Sequence, residues 1–163
     1  MFIKTPDLEI AYRQQGQREP IILLHGFGLN YHIWDPIVAA FHEKARFITP
    51  DLRGHGQSEV REGTYSMDSL AADLAAFMDA LGIERAMVGG HSLGGYVALA
   101  FAAANPGRLS GLALITTNAR ADAPNKSQAH NDTAHAVQLQ QSYDLAVRLS
   151  PHLSNKQAFV HTL

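Results

Sequence analysis

Four short, continuous apolar runs alternate with helical patterns along this chain, and that alternation limits the folds open to it more than any other feature. Pro20-Ile21-Ile22-Leu23-Leu24, Phe47-Ile48, Ala86-Met87-Val88 and Leu112-Ala113-Leu114-Ile115 are each bounded by glycine, proline or polar residues, the pattern of strands covered on both faces. Between them, Trp34, Ile37, Val38 and Phe41 follow the spacing of one helix face, and Asp35-Pro36 offers an N-cap with proline at the first helical position. Met67, Leu70, Leu74, Phe77, Met78 and Leu81 line a second helix, which Ser66 can cap and Gly82 can end in the left-handed conformation. A third helix runs from Ser92 to about Asn105, is apolar nearly all round, and stops at Pro106, which predicts burial. Upstream, residues 8–16 alternate apolar with polar side chains, as in a half-buried antiparallel strand near a sheet edge. The class is α/β: a mostly parallel sheet with helices on both faces.

Composition narrows the function. At 163 residues, 46% hydrophobic and 17% charged, the chain reads as one globular domain and not as a disordered segment. A net charge of −2 with dispersed basic residues gives no footprint for nucleic acid. No cysteine is present, so disulfides and thiolate metal sites are excluded. Met1 to Pro6 leads straight into a strand-like segment without a basic and then apolar leader, which predicts a cytoplasmic protein. The longest apolar stretch, Val97 to Ala104, is far short of the ~20 residues that span a bilayer. From Arg120 onward Asn, Gln, His and Ser dominate, with a sparse helical stripe of Leu139, Tyr143, Ala146 and Val147 and a break at Ser150-Pro151.

Gly90-His91-Ser92-Leu93-Gly94 matches GxSxG and stands where an apolar run ends and an apolar helical pattern begins. A serine at so sharp a strand-to-helix turn is forced into a strained backbone, and Gly90 and Gly94 leave room for neighbouring chain to pass close by. The turn lifts the Ser92 hydroxyl out of the carboxyl edge of the sheet, where open α/β sheets bind ligands, and sets it at the positive end of a helix. The plain alternative is a glycine-rich packing turn.

With His25-Gly26-Phe27-Gly28 followed by Trp34, then Asp51-Leu52-Arg53-Gly54-His55-Gly56-Gln57-Ser58, then Gly90-His91-Ser92-Leu93-Gly94-Gly95, the chain resembles the α/β-hydrolase superfamily. The resemblance is to the branch of small esterases, enol-lactonases, carbon–carbon bond hydrolases and cofactor-free haloperoxidases, and it covers residues 1 to about 123. It implies that residues 1–123 are the N-terminal part of the hydrolase core, holding its first six strands, and that residues 124–163 begin a helical cap. It implies Ser92 as nucleophile, with the Phe27 and Leu93 backbone N–H groups as oxyanion donors and Gly26, Gly28, Gly90 and Gly94 in support. Asp51 to Ser58 reads as an ordering loop, and His25 and His91 as packing or hydrogen-bonding residues.

Family members carry the triad acid and histidine after two further strands beyond the cap, in the order Ser, acid, His. The chain is expected to stop before them, leaving the triad histidine unassigned. Some relatives place the acid after the sixth strand, so by analogy Asp122 is the candidate within this chain. None of His130, His135, His152 and His161 has a comparable case. The resemblance implies a small ester, lactone or related carbonyl substrate, and no cofactor or metal. A non-catalytic module that keeps the fold for binding or assembly is the rival reading, and a receptor-like or perhydrolytic use of Ser92 is a third. Self-association through an uncovered sheet edge is expected of the chain alone.

Overall fold

A computed structural model describes residues 1–117. Six strands form one sheet: β1 (Phe2–Lys4), β2 (Glu9–Gln15), β3 (Pro20–Leu24), β4 (Arg46–Pro50), β5 (Ala86–His91) and β6 (Leu109–Ile115). Their order in space is β1-β2-β4-β3-β5-β6. β1 and β2 pair antiparallel with each other, and β2 antiparallel with β4, whereas β4, β3, β5 and β6 run parallel. The expected α/β architecture is therefore present, with the antiparallel strands at one edge.

The period of two along the strands sorts their side chains into two cores. From β3, Ile22 and Leu24 join one core, while Ile21 and Leu23 join the other; β4 divides in the same way between Ile48 and Phe47. Two helices, α2 (Met67–Ala80) and α3 (Leu93–Ala104), fill the larger core with Leu70, Leu74, Phe77, Met78, Val97, Ala98 and Phe101. Burial of each of these side chains larger than alanine stabilises by about 1.5–3 kcal/mol relative to exposure. Tyr12 of β2 meets Phe77 edge-on at 5.4 Å. Trp34, Leu23, Ala45 and Phe47 make the smaller core, with Val38 of α1 (Asp35–Phe41) packed against it.

The caps of α2 follow the sequence reading: the Ser66 hydroxyl accepts the Ser69 N–H, and Gly82 has φ +65°. At α1 the expectation is corrected. A 3-10 turn over Tyr31–Trp34, capped by Asn30, precedes the helix and places Asp35 inside its first turn. The Asp35 carboxylate goes instead to Arg13 and His32, each at 2.7 Å. Ile37 and Phe41 are exposed, so of the expected stripe only Val38 of the helix and Trp34 of the preceding turn reach the core. Burial of α3 is also one-sided, since Ala103 and Ala104 are exposed. On β6, Leu112 and Leu114 are 39% and 38% exposed, whereas the apolar run had predicted cover on both faces. Among the described residues β5 is the only neighbour of β6, and this leaves that part of the sheet open.

Candidate active site

Because β4, β3, β5 and β6 are parallel, their carboxyl ends share one edge, with Leu24 beside Gly90 and His91 beside Ile115. From this edge emerge the loop His25 to Gly28, the loop Asp51 to Ser58, Ser92 and the turn Thr116-Thr117. The His25-Gly28, Asp51-Ser58 and Gly90-Gly94 segments therefore meet at one edge of the sheet.

Ser92 joins β5 to α3 with φ 50° and ψ −113°, a left-handed conformation that costs of order 1–3 kcal/mol in a residue with a side chain. Close packing surrounds the turn. A methyl group on Gly90 would strike the backbone of Gly94 and Gly95, and one on Gly94 would lie 2.6 Å from the His25 carbonyl oxygen. The glycines thus press the turn against itself and against the end of β3. As the N-cap of α3, Ser92 makes no side-chain capping bond, so its hydroxyl is not spent on the helix. Leu93 opens the helix, where N–H groups lack intrahelical acceptors. Among the described residues no acceptor takes the N–H of Leu93 or of Phe27. Phe27 itself is 40% exposed, and the turn it occupies closes through Leu29 N–H to the Gly26 carbonyl at 3.2 Å. Gly28 follows at φ +69°.

His25, fully buried, holds this loop to its neighbour: Nδ1 donates to the Gly26 carbonyl at 2.8 Å and Nε2 accepts Leu52 N–H at 2.9 Å. Burial pushes its pKa down to about 4, so the ring is neutral at pH 7 and its tautomer is set by the Leu52 donor. His55 lies 5.2 Å from the His25 ring and 5.7 Å from that of Phe27, edge-on to the latter. His91 turns away from Ser92 toward the same loop. A methyl group on Gly26 would lie 2.7 Å from its Nδ1, which is buried with no hydrogen-bond partner among the described residues, and burial lowers its pKa.

The ordering role read for Asp51 to Ser58 has a physical basis. The buried Asp51 carboxylate accepts Tyr31 N–H at 2.7 Å and Gln57 N–H at 2.9 Å, and the Ser58 hydroxyl donates to the Asp51 carbonyl at 2.7 Å. Gly56, at φ +53°, is packed so closely on that carboxylate that no Cβ fits. Arg53 then ties the loop to α2 through a two-pronged bond to Asp73, with Nε to Oδ2 at 2.7 Å, and this pairing raises the Arg53 pKa. Sequence reasoning missed Asp73, a carboxylate on the apolar face of α2, and the turn after β6. Only the position of Asp73 on the core face offered a signal.

Asp122, the histidines His130, His135, His152 and His161, and the cap expected over residues 124–163 lie outside the described residues. Among the described residues no group of three or more His, Asp or Glu side chains could hold a metal ion. No helix among them is long and apolar enough to cross a membrane.

Comparison with known proteins agrees with the fold. The chain is similar to the 3-oxoadipate enol-lactonase 1 of Acinetobacter baylyi, 42% identical over 48% of this chain and 29% of that one. It is 38% identical to the non-heme chloroperoxidase of Streptomyces lividans over 66% of this chain and 40% of that one. A thermophilic esterase from Thermogutta terrifontis superimposes with a TM-score of 0.78 at 37% identity, covering 84% of this chain and 52% of that chain. The chain thus spans about half, or less, of the length of these relatives. The family model described as the alpha/beta hydrolase fold matches residues 19–161, and the chain belongs to that family.

Proposed function

We propose that this chain carries the nucleophile and oxyanion pocket of a serine-type hydrolase acting on small esters, lactones or related carbonyl compounds. The observation that carries the reading is Ser92 at φ 50°, held at the junction of β5 and α3 with its hydroxyl unused by the helix. The hydroxyl oxygen attacks the substrate carbonyl carbon and gives its proton to a histidine base, and the carbonyl oxygen becomes an oxyanion. Phe27 and Leu93 N–H groups hold that oxyanion, each such donor contributing ~10²–10³ in turnover. Collapse expels the alcohol, which takes the proton back, and water then releases the acid from the acyl-enzyme. No base is assigned within the chain, and Asp122 is the candidate acid by analogy with the family. The esterase and enol-lactonase relatives support the substrate class, and the cap sets substrate shape.

The test uses the protein carrying the complete triad: a fluorophosphonate labels Ser92, and Ser92→Ala abolishes ester turnover while the fold persists. Label on Ser58 or Ser110, or undiminished turnover by the Ser92→Ala variant, overturns the reading. For residues 1–163 alone, self-association through β6 is expected, since among the described residues its outer flank is unpaired and Leu112 and Leu114 are exposed, and without a positioned base no turnover is expected. Light scattering with an ester assay decides this, and a monomer with burst kinetics contradicts it.

A further inference from the structure

Two residues other than glycine have positive φ among the described residues, Ser92 at 50° and Thr116 at 46°. They lie at the ends of adjacent strands, where His91 of β5 pairs with Ile115 of β6. For a β-branched residue such as Thr116 this conformation is a genuine outlier, and strain of this kind persists only where surrounding bonds over-determine it. The bonds are present. Ser92 N–H donates to the Ile115 carbonyl at 3.1 Å, and the Thr117 hydroxyl donates to the Ser92 carbonyl. Both backbone polar groups of the strained serine are thus tied to the three-residue segment that Thr116 turns.

The contact is also steric. A methyl group on Gly95 would lie 2.6 Å from both Cβ and Cγ2 of Thr117, so the second glycine of the Gly94-Gly95 pair makes room for this side chain. The Ser92 carbonyl already accepts Gly95 N–H at 2.9 Å and Tyr96 N–H at 3.3 Å within α3. The Thr117 hydroxyl is therefore not needed to satisfy an orphan acceptor; its effect is to fix the direction of the serine peptide.

We propose that Thr117 is a positioning residue for Ser92: the turn Ile115-Thr116-Thr117 braces the serine in its left-handed conformation from the neighbouring strand and aims its hydroxyl. This rests on Ser92 as the nucleophile for its catalytic consequence, but not for the brace itself. Geometry at the nucleophile matters steeply, since misplacement by about 1 Å can cost on the order of 10²-fold in rate.

The test compares Thr117→Val, which keeps shape and removes the hydroxyl, with Thr117→Ser, which keeps the hydroxyl, and with Gly95→Ala, which displaces Thr117 from the other side. Amide exchange at Ser92, by NMR or by mass spectrometry of its peptide, is read against exchange at Ile22 in the core. The brace predicts that Thr117→Val speeds exchange at Ser92 by about three- to tenfold, the equivalent of one hydrogen bond, with Ile22 unchanged. Thr117→Ser restores slow exchange, and Gly95→Ala mimics the valine variant. Equal acceleration at Ser92 and Ile22, or none at either, overturns the brace. In the protein with its complete triad, fluorophosphonate labelling of Ser92 falls about tenfold or more in Thr117→Val and recovers in Thr117→Ser. Labelling that is absent in wild type refutes the nucleophile and leaves the brace to the exchange result; labelling indifferent to Thr117→Val refutes the aiming role.

Discussion

His25 accepts the Leu52 N–H through Nε2, at 2.9 Å, while its Nδ1 is engaged by Gly26. A single buried imidazole therefore joins the loop after β4 to the loop that presents Phe27.

The neutral form of His25 makes the fold sensitive to acid. Its pKa is about 4 in the folded chain against 6.5 for the free side chain, so between these values the unfolded chain binds the proton and the folded chain does not. Stability must fall as pH drops through that window, by roughly 3 kcal/mol for this group between pH 7 and pH 4. Urea unfolding across that range should show the loss, and His25→Asn should flatten its steepest part while lowering stability at neutral pH.

The contact between Gly26 and His91 should appear as a coupling. Gly26→Ala drives a methyl group to 2.7 Å from the His91 ring and should cost about 1–3 kcal/mol, as overpacking does. His91→Ala removes the obstacle, so the double variant should be more stable than the two separate losses predict. Thermal unfolding of the four proteins gives the coupling energy directly, and strict additivity would show that the ring and the loop do not press on each other.

Arg53 and Asp73 form a pair with side chains only 15% and 9% exposed. Arg53→Leu strands a carboxylate in the core and should destabilise by about 3–5 kcal/mol, whereas replacing both residues by apolar ones should recover most of the loss. High salt should have little influence, because the pair is shielded from the screening that weakens surface ion pairs. Denaturant midpoints of the single and double variants decide the matter.

Gly56→Ala introduces a side chain where φ is +53° and where the Asp51 carboxylate already fills the space. The strain alone costs about 1 kcal/mol, and displacing the carboxylate from Tyr31 and Gln57 should raise the loss above 2 kcal/mol. Gly82→Ala, at a comparable φ of +65° but with open space around it, should cost only the first of these. The difference between the two melting temperatures measures the carboxylate anchor.

Local pattern foretold the parts of this fold that local forces decide. Pro20–Leu24 is a strand with the bounds its apolar run suggested, and Ser66 and Gly82 bracket α2 as their chemistry requires. The strained turn was legible because glycines two residues before and after Ser92 leave room for close backbone approach where an apolar run meets a helical pattern. Where tertiary packing decides, the pattern was silent or misleading. Asp35 looked like a cap, but Arg13 and His32 compete for its carboxylate and the Asn30 turn takes over the role. Leu112 and Leu114 read as buried because an apolar run does not say what lies beside it. Nothing local marks Thr116 for positive φ, since threonine resists that conformation; only its neighbours across the strand pair explain it.

The division of β3 between the two cores has a consequence for how the gene can vary. Inserting or deleting one codon within Pro20–Leu24 would rotate every following side chain of the strand by half a turn, sending Ile22 and Leu24 toward Trp34 and delivering Leu23 to Phe77. Each core would then have to repack around side chains that belong to the other, and the displaced His25 would lose Leu52. A length change near Glu62-Gly63, where the chain is exposed and unpaired with the sheet, meets no such obstacle. Frame-preserving drift in length should therefore accumulate in that loop and be purged from the central strand.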